Sequence, residues 1–155
     1  MEYTIVYGDI LEQNVEVIVN SWNRNIIPWW LLLPQGVSGA IKKKGGCQPF
    51  KEVAKFGAIT LGEARVTSAG KLPFKAIIHV AGINMLRFAT KYSVTQSVKN
   101  VMEIVNKKNY SSVVFPLIGA GSGNRSEEWS LNIMKGELDK VESKAKVIVV
   151  RYSAR

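Results

Sequence analysis

Residues 113–124 read Val-Val-Phe-Pro-Leu-Ile-Gly-Ala-Gly-Ser-Gly-Asn, and the rest of the chain takes its meaning from this stretch. Val113, Val114 and Phe115 are apolar at consecutive positions, the mark of a strand buried on both faces rather than one alternating between core and water. Pro116 ends the run. Gly119, Gly121 and Gly123 then allow the backbone to turn tightly and to bring its N–H groups close to an anion. The spacing of Asn124 and Glu127 predicts a capping box and a helix starting near Asn124, with Glu128 complementing the positive end of the helix dipole. A glycine-rich turn opening a helix makes a phosphate cradle. No Gly-Lys-Ser/Thr follows, so this is not a P-loop. A plain strand-to-helix turn is the competing reading.

Outward from this stretch the same pattern repeats. Val17-Ile18-Val19, Ala76-Ile77-Ile78 and Val147-Ile148-Val149-Val150 are further strands apolar at nearly every position. Tyr3–Tyr7 and Leu61–Thr67 are weaker strand candidates, expected near the edges of the sheet. Between the strands, Val94, Val98, Val101 and Val105 share one helical face, as do Leu131, Met134, Leu138 and Val141. Further helices are expected over Ser38–Lys44 and Pro49–Lys55. Helices alternate with buried strands and no linker or repeat interrupts them. The expectation is one α/β domain over residues 1–155, a three-layer α/β/α fold on a central mixed, largely parallel sheet.

The composition fits. The 155 residues are 46% hydrophobic and 21% charged, which argues against disorder. Cys47 is the single cysteine, so there is neither an intramolecular disulfide nor a multi-cysteine metal site, and a buried, inert thiol is expected. No metal or cofactor is expected. The N-terminal residues run straight into a strand pattern without a leader signature, and the apolar run Ile26–Leu33 is interrupted by Pro28 and too short to span a bilayer. A cytoplasmic protein with no membrane partner is the expectation. A net charge of +9 attracts polyanions at long range, which leaves nucleic acid open as a partner. No stripe of basic residues interleaved with aromatics supports a single-strand binder.

Ligands of such sheets bind beyond the carboxyl ends of the strands, and the chemistry-bearing residues lie there. Gly8-Asp9-Ile10 follows the first strand, where Asp9 either accepts a hydrogen bond from an exocyclic amine or caps a turn. Asn20-Ser21-Trp22-Asn23 follows the second, and Gln35-Gly36-Val37-Ser38-Gly39-Ala40-Ile41 forms a second glycine loop opening a helix. Two such loops facing each other can grip a pyrophosphate. Asn20 and Asn23 offer donors and acceptors to sugar hydroxyls, against the commoner role of asparagine in turns. The sole histidine, His79, ends a buried run, where a hydrogen-bonded structural role is favoured over catalysis. Trp29 and Trp30 either pack the long loop or stack on a partner, and Arg125 borders the glycine loop.

Taken together, Gly8-Asp9-Ile10, Val17-Ile18-Val19-Asn20-Ser21-Trp22-Asn23, Gln35 to Ile41, Gly62-Glu63-Ala64, Ile77-Ile78-His79-Val80-Ala81-Gly82 and Phe115-Pro116 resemble, in order, the motifs of the macrodomains. The resemblance implies an ADP-ribose-binding cleft. Asp9 would bind the adenine amine with the Ile10 backbone nearby. The loop of Gly36, Val37, Ser38, Gly39 and Ala40 and the loop of Gly119, Ala120, Gly121, Ser122, Gly123 and Asn124 would hold the pyrophosphate and distal ribose. Asn23 would hydrogen-bond the distal ribose and is the candidate catalytic residue. Two departures stand out. Hydrolase-type members carry an aspartate where this chain has Ser38, on a longer loop, and an aromatic where it has Gly123. A serine supplies neither a carboxylate's charge nor a general base at neutral pH. The expected function is therefore binding of ADP-ribose or of an ADP-ribosylated macromolecule. The alternatives are an ADP-ribosyl hydrolase (on protein, nucleic acid or O-acetyl-ADP-ribose) lacking the loop aspartate, and a basic nucleic-acid or poly(ADP-ribose) binder. Glu63, the one acid within a motif, is expected to anchor a strand end.

Overall fold

The computed structural model describes residues 1–22, 36–82, 89–120 and 126–152. Six strands form one sheet: β1 Thr4–Gly8, β2 Val17–Trp22, β3 Ala64–Thr67, β4 Ala76–Ala81, β5 Ser112–Phe115 and β6 Lys146–Tyr152. Their order is β1-β6-β5-β2-β4-β3. Every pairing is parallel except that of β3 with β4. The two weak strand candidates, β1 and β3, are the two edges, as their less continuous hydrophobicity predicts.

The consecutive apolar runs have a direct cause. Successive side chains of a strand point to opposite faces, and here both faces are covered. Val17 and Val19 of β2, Val113 and Phe115 of β5, and Val147 and Val149 of β6 enter one core, against the valine face of α3 Lys91–Lys107 and the Leu131–Met134–Leu138 face of α4 Glu127–Leu138. Ile18, Val114, Ile148 and Val150 enter the other, with Ile41 of α1 Gly36–Gly45 and with Phe50 and Val53 of α2 Gln48–Ala54. Three layers result, as the sequence pattern implies. No described helix is long and apolar enough to cross a membrane.

One boundary differs from expectation. Helix α4 begins at Glu127, not near Asn124, and its cap is Ser126, whose hydroxyl accepts the Trp129 N–H at 3.2 Å. The Glu127 carboxylate pairs with Arg151 at 3.0 Å. Asn124 itself lies outside the described residues. Cys47 is also not fully buried: it is partly exposed at the entry to α2.

The topology locates the cleft. The chain leaves β2 toward β4 through α1 and α2, then returns from β4 through α3 to β5 on the other side of β2. The strand order therefore reverses between β2 and β5, and the crevice of such a sheet opens beyond the carboxyl ends of these strands.

Candidate functional site

Three segments make up the candidate site: two follow β2 and β5 at the crevice, and one, after edge strand β1, packs against α1. The first follows β1. Asp9 caps a 3-10 turn, Ile10–Glu12, by accepting the Leu11 N–H on Oδ1 at 2.9 Å. Capping thus occupies one carboxylate oxygen, and the other has no partner among the described residues, so the two roles considered for Asp9 are compatible. Ile10 is buried beneath it. The turn lies against α1, bringing Asp9 to the second segment.

That second segment is the first turn of α1. Gly36, Val37, Ser38, Gly39 and Ala40 all belong to the helix, so the early N–H groups lack intrahelical acceptors and carry the positive end of the dipole. Val37, Gly39 and Ala40 are partly exposed, whereas Ser38 is buried. The Ser38 hydroxyl turns inward and donates to Asn20 Oδ1 at 2.7 Å.

The third segment follows β5. Ile118 is fully buried, and Gly119 adopts φ +89°, where a side chain is strained. A Cβ there would also lie 2.5 Å from the Cβ of Ala89. This glycine is required by its backbone angle and by space, not only by flexibility. Ala120 closes the turn through its N–H to Leu117 O at 3.1 Å. The turn is fastened to α4 by Ser130, whose hydroxyl donates to Ile118 O at 2.5 Å. Gly82, at the end of β4, packs between this loop and β2; a Cβ on it would meet Ser21 Oγ at 2.8 Å and Ile118 Cγ2 at 2.9 Å. Asn23, Gly121, Ser122, Gly123, Asn124, Arg125, Trp29 and Trp30 lie outside the described residues.

Beneath the crevice is a polar chain that the sequence shows only in pieces. Asn20 and His79 are register partners on β2 and β4, both fully buried. Asn20 Nδ2 lies 3.0 Å from His79 Nδ1, and His79 Nε2 lies 2.8 Å from Thr67 Oγ1 on β3. Thr67 donates onward to Ser68 O at 2.9 Å. Ser68 in turn is held by Glu52 of α2, which accepts the Ser68 N–H at 2.9 Å and its hydroxyl. These bonds to Ser68 hold the Glu52 carboxyl below its ordinary value. Burial pushes His79 down to about 3, so it is neutral at physiological pH. Asn20, expected at the sugar, has its oxygen committed to Ser38 and its nitrogen to His79, so any service to a ligand runs through Ser38. His79 takes the structural role expected of it. Thr67 and Glu52 were not singled out, and no local signal marks them: a threonine on a strand and a glutamate on a helix are unremarkable until the fold sets them beside His79. Glu63 pairs with Arg65 at 3.1 Å at the start of edge strand β3.

On the far side of the crevice the polar groups are charged. Arg151, near the end of β6, bonds Glu127 at 3.0 Å and Glu128 at 2.8 Å, clasping the start of α4, and its guanidinium lies 5.3 Å from the ring centre of Tyr7 on β1.

Comparison with known proteins agrees with this arrangement. A protein of Aquifex aeolicus is 31% identical over 153 residues, covering 97% of this chain and 90% of its own length. A macro domain-containing protein of Listeria monocytogenes is 35% identical over 127 residues, covering 78% of this chain and 69% of its own. Among solved structures, a variant of the Oceanobacillus iheyensis macrodomain with ADPR superimposes with a TM-score of 0.83 at 26% identity, covering 97% of this chain and 85% of that one. The model of the Macro domain family matches residues 19–134, most of the chain, from within β2 through β5 and into α4, and the chain belongs to that family.

Proposed function

We propose that this chain is a single ADP-ribose-binding domain that holds its ligand between Asp9, the first turn of α1 and the turn at Gly119. One observation carries the reading. The segments after β2 and β5 border the reversal of strand order, with the turn after β1 packed against α1, and both present an anion-compatible backbone: the N–H groups without intrahelical acceptors at the start of α1 and the glycine turn after β5. The match to an ADPR-bound macrodomain supports the same ligand. Asp9, with one carboxylate oxygen unpartnered among the described residues, reads the adenine amine. Gly36 to Ala40 and Gly119 to Asn124 take the pyrophosphate and distal ribose, with Asn23 at the ribose. A cytoplasmic setting goes with this reading.

Binding is favoured over hydrolysis by a specific contact. The residue at the position of the family's aspartate is Ser38, and its hydroxyl is spent on Asn20. It therefore has neither the basicity nor the orientation to activate water.

Calorimetric titration with ADP-ribose, against AMP as comparator and at two salt concentrations, tests the proposal. Saturable ADP-ribose binding, much weaker AMP binding and a shallow salt dependence are expected. No ADP-ribose heat, or equal affinities that fall steeply with salt, would replace the cleft by charge attraction to the +9 surface.

A further inference from the structure

The polar chain beneath the cleft has a direction. Each member donates to the next from Ser38 through Asn20, His79 and Thr67 to the carbonyl of Ser68. The nitrogen and oxygen of an amide, and the protonated nitrogen of a neutral imidazole, are identified by their partners. Asn20 receives the Ser38 hydroxyl on Oδ1, so its Nδ2 donates to His79 Nδ1. His79 Nδ1 must then be unprotonated, and Nε2 carries the proton that Thr67 Oγ1 accepts. Thr67 is free to donate to Ser68.

The opposite direction is the only other self-consistent one. Asn20 would donate to Ser38, and His79 Nδ1–H would donate to Asn20. Thr67 would then donate to His79 Nε2 and release Ser68 O. In that arrangement the acceptor left to the Ser38 hydroxyl among the described residues is Ser21 O, a contact of 3.5 Å, while the 2.9 Å bond from Thr67 to Ser68 would be lost. The observed distances favour the first direction.

We propose that Ser38 is a positioning residue: its hydroxyl sets the direction of this chain, locks His79 as the Nε2–H tautomer and ties the first turn of α1 to β2. Residue 38 acts as the selector because it is the end of the chain at which donor and acceptor can be exchanged. A hydroxyl donates to Asn20 Oδ1. A carboxylate can only accept, so an aspartate at this position would face Asn20 Oδ1 acceptor to acceptor until the amide turned over. Turning the amide requires His79 to move its proton from Nε2 to Nδ1, and Thr67 to give up Ser68. Ser68 is exposed, so water can take over its carbonyl. A change at the ligand loop is thereby felt at the opposite edge of the sheet, through neutral groups alone. The bearing of this lock on ligand affinity rests on the ADP-ribose reading above; the lock itself does not.

His79 is the only histidine of the chain, so long-range 15N–1H correlation spectra of the uniformly labelled protein report it without assignment ambiguity. In the wild type, Nδ1 is expected to give the pyridine-type signal and Nε2 the pyrrole-type signal. In Ser38→Asp the two should exchange, and in Ser38→Thr, which keeps the hydroxyl, they should not. A protonated Nδ1 in the wild type overturns the proposal, as does an unchanged tautomer in folded Ser38→Asp. The wild-type spectrum needs no variant, so the first of these outcomes remains decisive if Ser38→Asp does not fold. In calorimetry, Ser38→Ala should bind ADP-ribose about fivefold more weakly, the cost of one lost hydrogen bond to the helix start, and Ser38→Thr should restore it. Equal affinity of Ser38→Ala and wild type would overturn the positioning role. Absence of ADP-ribose binding in the wild type would overturn the functional reading, while the spectrum alone would still decide the tautomer.

Discussion

The two flanks of the cleft are built from opposite electrostatics. On the β2–β4 side, Asn20, His79, Ser38 and Thr67 are buried and neutral, and satisfy one another in sequence. On the β1–β6 side, Arg151, Glu127, Glu128 and Tyr7 are charged or aromatic and meet at the surface, with Glu128 and Tyr7 well exposed and the Arg151 side chain largely covered. A buried neutral group has no solvent to fall back on, so losing a partner costs its full desolvation. An exposed ion pair exchanges one good environment for another and is screened by salt. The buried flank should therefore govern stability and loop geometry. The charged flank should contribute recognition and little else.

The largest expected effect comes from breaking the buried flank. Asn20→Leu fills similar space but orphans His79 Nδ1 and removes the favoured acceptor of the Ser38 hydroxyl, and should cost about 2–3 kcal/mol in urea unfolding. A cost within experimental error would mean that the chain is not a stability element.

Acid attacks the same flank. His79 has a folded value of about 3 against 6.5 when unfolded, so the unfolded state binds the extra proton. Its neutral form contributes fully above pH 6.5, and that contribution is lost as pH falls from 6.5 toward 3, by up to about 1.4 kcal/mol per pH unit. Glu16, lowered to about 2 chiefly by its bond with Lys75, loses its contribution only between 4.5 and 2. Unfolding measured from pH 7.5 to 5 thus reads the histidine with little interference from Glu16, and a flat profile there would contradict its burial as a neutral group.

Asp9 sharpens the contrast because it stands on the other flank and is only partly buried. Asp9→Ala should weaken ADP-ribose binding by about 1–3 kcal/mol, the range for a lost charge-assisted hydrogen bond. Its effect on stability should be confined to the cap of one short turn. An unchanged dissociation constant in the folded variant would remove Asp9 from the ligand. The smallest effect is expected from Arg151→Met, whose unfolding midpoint should be indistinguishable from wild type at moderate salt. A clear loss, persisting in high salt, would show that the clasp on α4 is structural after all.

Some of this was determined by the sequence itself. Consecutive apolar runs such as Val17-Ile18-Val19 and Val113-Val114-Phe115 can be buried only in a sheet covered on both faces, and the valine spacing of α3 supplies one of the covers. The turn at Gly119 followed from the same reading, because a missing side chain is a local fact with a local consequence. The start of helix α4 was misplaced because Asn124 and Ser126 are both capping residue types, and it is Ser126 that accepts the Trp129 N–H. The polar chain could be found only in the tertiary structure. Residues 20, 38, 67 and 79 come from three strands and a helix, and a hydrogen bond is directional over about 3 Å, a range no pattern along the chain encodes. Asn20 looked like a ligand-facing asparagine because its strand ends at the cleft. Strand alternation and the register with β4 turned it toward His79, and the burial of both made that pairing obligatory.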